Sequence, residues 1–445
     1  MLLCIFYIFS FSLGKEIFTE QKIKNFLTED NPYIYTILGK KYIYQGKLKY
    51  YQGFFDTKIK GKYEKKDYPV STGKFYSLFL EKPLMSGLEL NFGYRKAEGI
   101  QEYNNIKTGK DGEVLIGIKV PVFKITRNIN ERRLNLFLAK LDISEIDFEY
   151  RNKLRKLYFK IISSYYKLLY YKKLVEIENQ LLKKAEKRKD FILKKIEQGL
   201  FPNVVSIEAE QQIINRKQRL LKAKNNYEVH LLSFLKYLGI GKEEFEEMYV
   251  LPDFPDVKLS EINLKDSLSI AFRNRPDLKK LKVVQEKLKK ETNYYSLLKY
   301  PELNISLYGV HDFNYDSGFK ISIDAKYPLE RRKYLGKKIE INKSLLLLDK
   351  KKEKIEIEIK TNLQNIVKTL KTIKQNIKNS EEEIKLVKKL EQIELKKFKL
   401  GSSDLFYVNQ REIYTLETIK KNLKYKLDYL ILYKKYLMEL GIPII

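Results

Sequence analysis

Apolar and polar residues alternate in three short stretches of this chain. Phe319, Ile321, Ile323, Ala325 and Tyr327 are separated by Lys320, Ser322, Asp324 and Lys326. Leu303, Ile305 and Leu307 repeat the pattern after Pro301, and the 312–318 region supplies a turn between the two stretches. Leu88, Leu90, Phe92 and Tyr94 alternate with Glu89, Asn91, Gly93 and Arg95, and 114–120 is their partner after a longer loop rich in Gly, Asn and Lys. A period of two predicts strands with one apolar and one polar face. Elsewhere the spacing lengthens. Ile359, Leu363, Ile366, Leu370, Ile373, Ile377, Ile384 and Val387 advance mostly by threes and fours, the coiled-coil period. No proline or glycine lies between Gly336 and Gly401. A helix of about 60 residues, roughly 90 Å long, is predicted there. Leu154, Leu157, Ile161, Tyr165 and Leu168 lead towards Gly199 in the same way.

The chain is written twice. Gly199 and Gly239 lie 40 residues apart, and so do Gly401 and Gly441. Sliding one half by 202 residues also places Glu210 on Glu412, Leu221 on Leu423, Lys222 on Lys424, Lys224 on Lys426 and Tyr227 on Tyr429. Leu235, Leu238, Gly239 and Ile240 then coincide with Leu437, Leu440, Gly441 and Ile442. Such agreement indicates a duplication. Residues 15–241 form the first repeat (short helix, two strands, long helix, shorter helix), 242–275 a connecting segment and 276–445 the second repeat. Pro121 and Pro328 mark the joins where alternation stops and the helical pattern starts, because proline lacks the amide a strand interior needs and suits a helix's first turn. Asn31 followed by Pro32 has the cap-then-proline form of a helix start.

Residues Leu2 to Leu13 are almost wholly apolar, too short a run to span a bilayer as a helix, and 1–14 is read as a signal peptide. Cys4 lies inside that core rather than after it, which argues against lipid attachment. Export is expected. As the only cysteine it makes no internal disulfide. The two histidines, His230 and His311, are far apart. A zinc site is not expected, and no nucleophile–base set or cofactor loop accompanies them. No enzymatic activity, cofactor or metal is therefore expected. The formal net charge is +30, with 87 Lys and Arg against 57 Asp and Glu. These cations are spread along helical stretches without a nucleic-acid motif, so a solvated surface is the reading and no nucleic-acid partner is expected.

The stretches Gly199–Gln211 and Phe398–Gln410, with Asn31–Pro32, Gly87–Leu90 and Gly93–Arg95, resemble the outer-membrane efflux protein family, the TolC-like channels. The resemblance covers nearly the whole chain after residue 14. It implies a mainly helical fold with a small β part, in which long coiled-coil hairpins accompany four strands per chain that contribute to a shared trimeric barrel. Four two-sided strands cannot close alone, and an open edge in lipid leaves backbone groups unpaired. The resemblance further implies a homotrimer in outer-membrane lipid with a large periplasmic part, serving as the passive exit duct of a tripartite efflux or type I secretion system. A periplasmic adaptor protein and an inner-membrane RND or ABC transporter are its implied partners. Tyr76, Phe79, Phe92, Tyr94, Phe319 and Tyr327 are candidates for the barrel's interfacial girdle.

The periplasmic tip and its aperture are assigned by resemblance to Gly199, Val205, Glu208, Gly401, Ser403, Asp404, Tyr407 and Gln410. Family members often carry acids at the sixth and ninth positions after the second glycine; here Tyr407 and Gln410 stand there, so a carboxylate ring is lacking from the second repeat. Closure by the bulk of Tyr407 is the expectation in its place. Asp404 is expected to cap the following helix or to line the aperture. The competing reading is an exported or soluble coiled-coil scaffold, which the heptads alone permit and the strand pairs oppose.

Overall fold

The computed structural model describes residues 15–69, 71–99, 106–126 and 128–442. The signal-peptide reading and Cys4 lie outside the described residues. In chain order the elements are β1 (Glu16–Ile17), α1 (Pro32–Gln52), β2 (Lys58–Tyr68), β3 (Ser71–Pro83), β4 (Glu89–Gly99), β5 (Glu113–Pro121), α2 (Val122–Thr126), α3 (Glu131–Glu197), α4 (Val204–Leu238), α5 (Lys242–Met248), β6 (Tyr249–Val250), α6 (Leu264–Asn274), α7 (Pro276–Tyr295), β7 (Glu302–Asp312), β8 (Ser317–Lys326), α8 (Arg332–Lys399) and α9 (Leu405–Leu440). The fold is mainly helical with a smaller β part. The two predicted long helices are present, α3 with 67 residues and α8 with 68.

The chain divides into two units, each drawing on both repeats. The first holds the N-terminal segment up to Leu38, Arg151–Arg275 and everything from Glu356 onward. Its helices bury the predicted stripes: Leu157, Ile161, Tyr165 and Leu168 on α3, and Ile359, Leu363, Ile366, Leu370, Ile377 and Val387 on α8. Phe18 packs among Tyr165, Phe234, Phe245 and Tyr249, with ring centroids 5.1–6.2 Å away. The Tyr165 hydroxyl donates to the Phe18 carbonyl at 3.0 Å, and β1 runs parallel to β6. Asn31 fixes the start of α1 with both ends of its amide. Its Oδ1 accepts from the Tyr33 N–H at 2.9 Å, which caps the helix, while Nδ2 donates to the carbonyls of Phe26 and Tyr237, each at 2.9 Å.

The second unit holds Gly39–Tyr150 and Pro276–Ile355 and contains a six-stranded antiparallel sheet in the order β2-β3-β4-β5-β7-β8. Four of these strands are the predicted ones. The other two correct the expectation of four strands per chain: 58–83 forms an additional hairpin, β2–β3, paired to the outer side of β4. Both prolines lie at a strand-to-helix junction. Pro121 is the last residue of β5, where it faces Asn304, and Pro328 lies between β8 and α8, so neither occupies the first turn of a helix. The start of α3 is set instead by Asn130, whose Oδ1 accepts from the Arg133 N–H at 2.9 Å.

An exposed apolar wall and two glycine turns

Register decides which side chains share a face of the sheet. One row of paired residues crosses all six strands: Ile59, Leu80, Phe92, Ile116, Gly309 and Phe319. The neighbouring rows on that face contain Leu78 and Tyr94, and then Leu90, Ile118, Leu307 and Ile321. Apart from the half-buried Tyr94 and Ile118, these side chains are exposed rather than covered; Ile59 is 72% accessible, Ile116 64% and Phe319 78%. The opposite face carries Lys58, Glu81, Asn91, Gly117, Tyr308 and Lys320 in one row. On that side the Arg95 guanidinium bonds Glu113, its partner in the register, and Glu113 is buried. A sheet that exposes its apolar face and crowds its polar one is the inverse of a soluble sheet packed on a core. It is the arrangement of a wall with lipid outside and water inside.

Two glycines on the polar face make room for aromatic rings. Gly93 faces Phe79 and Gly117 faces Tyr308 across their ladders. A Cβ at Gly93 would stand 2.3 Å from the Phe79 ring, and one at Gly117 would stand 2.0 Å from that of Tyr308. The rings lie over the bare backbone, so the polar side fits large groups beside the smallest residue. At the end of the sheet away from the helices, the β4–β5 and β7–β8 loops are tied together. Asp312 accepts from the Gly109 N–H at 2.7 Å, and Asn314 exchanges hydrogen bonds with Asp111 at 2.6 and 2.7 Å. His311 is exposed beside them, its Nδ1 2.9 Å from the Ser317 hydroxyl. Of the aromatic candidates, Tyr76, Phe92, Tyr94 and Phe319 share the apolar face, while Phe79 lies on the polar one.

In the helical unit the four repeat glycines share one backbone state, with φ of 72° at Gly199, 75° at Gly239, 75° at Gly401 and 74° at Gly441. Gly199 closes α3 with a pair of bonds, Leu200 N–H to the Lys195 carbonyl at 2.9 Å and Gly199 N–H to that of Ile196 at 2.8 Å. Gly401 closes α8 identically, through Ser402 to Lys397 and Gly401 to Phe398, both at 3.0 Å. Left-handed glycine at this point satisfies carbonyls that a helix end leaves open. The two turns meet: Ile192, Ala209, Phe398, Leu405 and Val408 form one buried cluster, with Phe201 stacked obliquely on Phe398 at 5.3 Å. Val205 packs at its margin, whereas Glu208, Asp404, Tyr407 and Gln410 are exposed. Asp404 stands at the N-cap of α9 in extended backbone, but its side chain makes no capping bond; the nearby Ser403 hydroxyl donates to Glu394 at 2.5 Å. Leu200, Val204, Ile207, Leu400, Phe406 and Tyr407 leave large apolar groups in solvent around both turns.

The backbone sign of φ makes a comparison available. Gly401→Ala places a methyl in open space, so its cost is that of left-handed backbone alone, about 1–2 kcal/mol. Gly441→Ala carries the same backbone cost and also sets a Cβ 3.0 Å from the Asn274 carbonyl carbon and 3.1 Å from the Arg275 nitrogen. The expected order of thermal midpoints is wild type, then Gly401→Ala, then Gly441→Ala. Equal midpoints for the two variants would remove the packing argument.

A buried charge cluster, outside the residues assigned from the sequence, lies further along the same helices. Glu412 on α9 is ion-paired with Arg188 of α3 and with Arg216 of α4, the latter at 3.4 Å. Arg188 also donates to Asn409 at 3.1 Å. Arg216 is 1% exposed, and its Nε and Nη1 meet no hydrogen-bond acceptor. Burial pulls its pKa below the usual arginine range, with Glu412 opposing the shift. A second buried carboxylate, Glu178, accepts from Lys420 at 2.6 Å. The signal for this cluster was present in the sequence: Arg216 interrupts the apolar stripe Ala209, Ile213, Leu220, Ala223, where a lone charge demands a partner. His230 stacks flat on Tyr171 at 4.1 Å and is half-buried, which burial matches with a lowered pKa.

Among the described residues no helix is long and apolar enough to cross a membrane, and no three His, Cys, Asp or Glu gather as a metal-binding group. No family model matches this chain, and no curated protein does. Solved structures do match it over nearly its whole length. The outer membrane protein VceC of Vibrio cholerae superposes with a TM-score of 0.69 at 11% identity, over 96% of this chain and 97% of that one. The open state of the Neisseria gonorrhoeae MtrE outer membrane channel gives 0.67 at 11% identity, over 95% and 89%. The Campylobacter jejuni CmeC outer membrane channel gives 0.64 at 12% identity, over 97% and 90%. At such identities the likeness is one of fold.

Proposed function

We propose that this chain, whose fold is that of the TolC-like outer-membrane channels, is itself a channel subunit of the outer membrane and forms a homotrimer. The observation that carries the reading is the exposed apolar face running across the whole sheet, opposite a polar one. Such a face is stable in lipid and costly in water. The helices of the other unit then stand in the periplasm, with residues 15–241 and 276–445 as duplicated halves and 242–275 as the link between them. The protein is the passive duct of a tripartite efflux or type I secretion system. It carries out no chemistry and consumes no energy, so an RND or ABC transporter of the inner membrane must load it through an adaptor.

The adaptor's place is the pair of glycine turns. Exposed Leu200, Val204, Ile207, Leu400 and Phe406 surround them, and side chains of that kind in solvent suit a protein contact. Tyr407 is exposed at the same end and occludes the aperture in the trimer. The test is the single-channel conductance of the purified protein in planar bilayers. Wild type should conduct in small steps and Tyr407→Ala in larger ones, with Gln410→Ala as a neighbouring control. Unchanged conductance in Tyr407→Ala rejects the gating role, and an inability to insert at all rejects the channel.

A further inference from the structure

We infer that the β2–β3 hairpin is part of the membrane wall, that each chain thereby brings six strands to it, and that the open β2 edge pairs with the β8 edge of a second copy. The inference rests on the channel reading above and adds the size of the barrel and the identity of its seam. TolC-like resemblance implies four strands per chain and twelve in a trimer. Six in each of three copies make eighteen.

Three observations place the hairpin in the wall. First, it is joined without a break: β3 pairs with β4 from Gly73 to Pro83, a longer ladder than β4 makes with β5. Second, the apolar face continues across it in register. Ile59, Leu78 and Leu80 stand on the same side as Phe92, Ile116 and Phe319, and all six are exposed. Third, it packs on its neighbour by the same device. Phe79 of β3 covers Gly93 of β4 just as Tyr308 covers Gly117 two strands away. A hairpin lying outside the barrel would need none of these.

The edges identify the occupant. β2 has 11 residues and β8 has 10, each long enough to cross the hydrocarbon core, for which about 9–11 tilted residues suffice. Neither pairs with the other, so this sheet does not close on itself. Each edge leaves a row of backbone N–H and C=O groups that lipid cannot satisfy. Ile59 and Phe319 belong to one register row, so the apolar band reaches both edges and remains continuous when β8 of one copy meets β2 of the next. With strands about 4.8 Å apart and tilted about 40°, eighteen give a barrel about 36 Å across between backbones, against about 24 Å for twelve.

The full chain, solubilised in detergent and imaged by cryo-electron microscopy, tests this directly. Eighteen wall strands with a β8–β2 seam are expected. A twelve-stranded barrel with β2–β3 outside it overturns the inference. Nitroxide labels in lipid vesicles provide a second measurement, at Ile59→Cys, Leu78→Cys, Ile116→Cys and Phe319→Cys in a Cys4→Ser background. All four should collide more with oxygen than with a water-soluble nickel chelate. If only Ile116→Cys and Phe319→Cys do so, the hairpin is outside the wall while the channel reading stands. If none does, the channel reading falls as well.

Discussion

Glu412→Ala is expected to lower stability by about 3–5 kcal/mol, because it strands two guanidinium groups away from water. Arg188 and Arg216 converge on this one carboxylate, and Arg216 has only 1% of its surface exposed. The ion pair itself contributes little net stability, since the desolvation of three charges offsets most of their attraction. Its removal is costly because Arg216 has no other acceptor, two of its nitrogens already lacking one, and Arg188 keeps only Asn409. The duplication supplies an internal control. Glu210 occupies the equivalent place in the first repeat, yet it lies at the surface, 3.5 Å from Lys189. Glu210→Ala should change stability by no more than about 0.5 kcal/mol. Thermal melts of the two variants at one protein concentration decide the matter. Equal midpoints would mean that Arg188 and Arg216 find other partners once Glu412 is gone.

The second large effect concerns the wall. Ile116 stands near the middle of β5, on the face shared by Phe92 and Phe319. Ile116→Lys is expected to cost about 2–4 kcal/mol if its strand crosses the bilayer with that side chain in hydrocarbon. Asn91, on the opposite face of the adjacent β4, pairs with Glu81 and Gly117 and tolerates a cation there. Asn91→Lys should therefore fold into lipid vesicles nearly as well as wild type. The readout is the folded fraction of each variant across a urea series in vesicles of fixed composition. Identical curves for the two lysines would show that neither face meets lipid.

How far the sequence revealed this molecule depended on whether the pattern was local. Alternation in 303–307 and 319–327 identified β7 and β8, because one face of each strand is nearly free of charge. The shift that superposes Gly199 on Gly401 and Gly239 on Gly441 identified the duplicated helical hairpins, and all four glycines adopt the same left-handed turn. The β2–β3 hairpin was not legible. In β2 every second residue from Lys58 to Lys66 is charged, and the intervening Ile59, Gly61 and Tyr63 make a weak stripe that Lys65 and Asp67 end. In β3 both faces carry large apolar groups, Phe75 and Phe79 on one and Tyr76, Leu78 and Leu80 on the other, so alternation vanishes. The partner that the lone Arg216 demands was hidden for another reason. Glu412 lies 196 residues from Arg216 and 224 from Arg188 in the chain, and only the packing of α3, α4 and α9 brings them together. Resemblance pointed to the turn residues, but it did not show that Asp404 leaves its helix without a side-chain cap.

The order of the sheet carries a consequence for assembly. Its strands alternate in direction from β2 through β8, and six is an even count, so the first and last strands run opposite ways. Copies placed edge to edge therefore always meet antiparallel, whatever their number. Parity allows a ring of two, three or four with no mismatched seam, and the wall by itself is indifferent to which one forms. In the proposed oligomer the stoichiometry is then fixed by the helices, because helix packing accepts only certain angles between neighbours. In the proposed channel, a variant that loosens the helical seams should keep its place in the membrane and lose its fixed number of subunits.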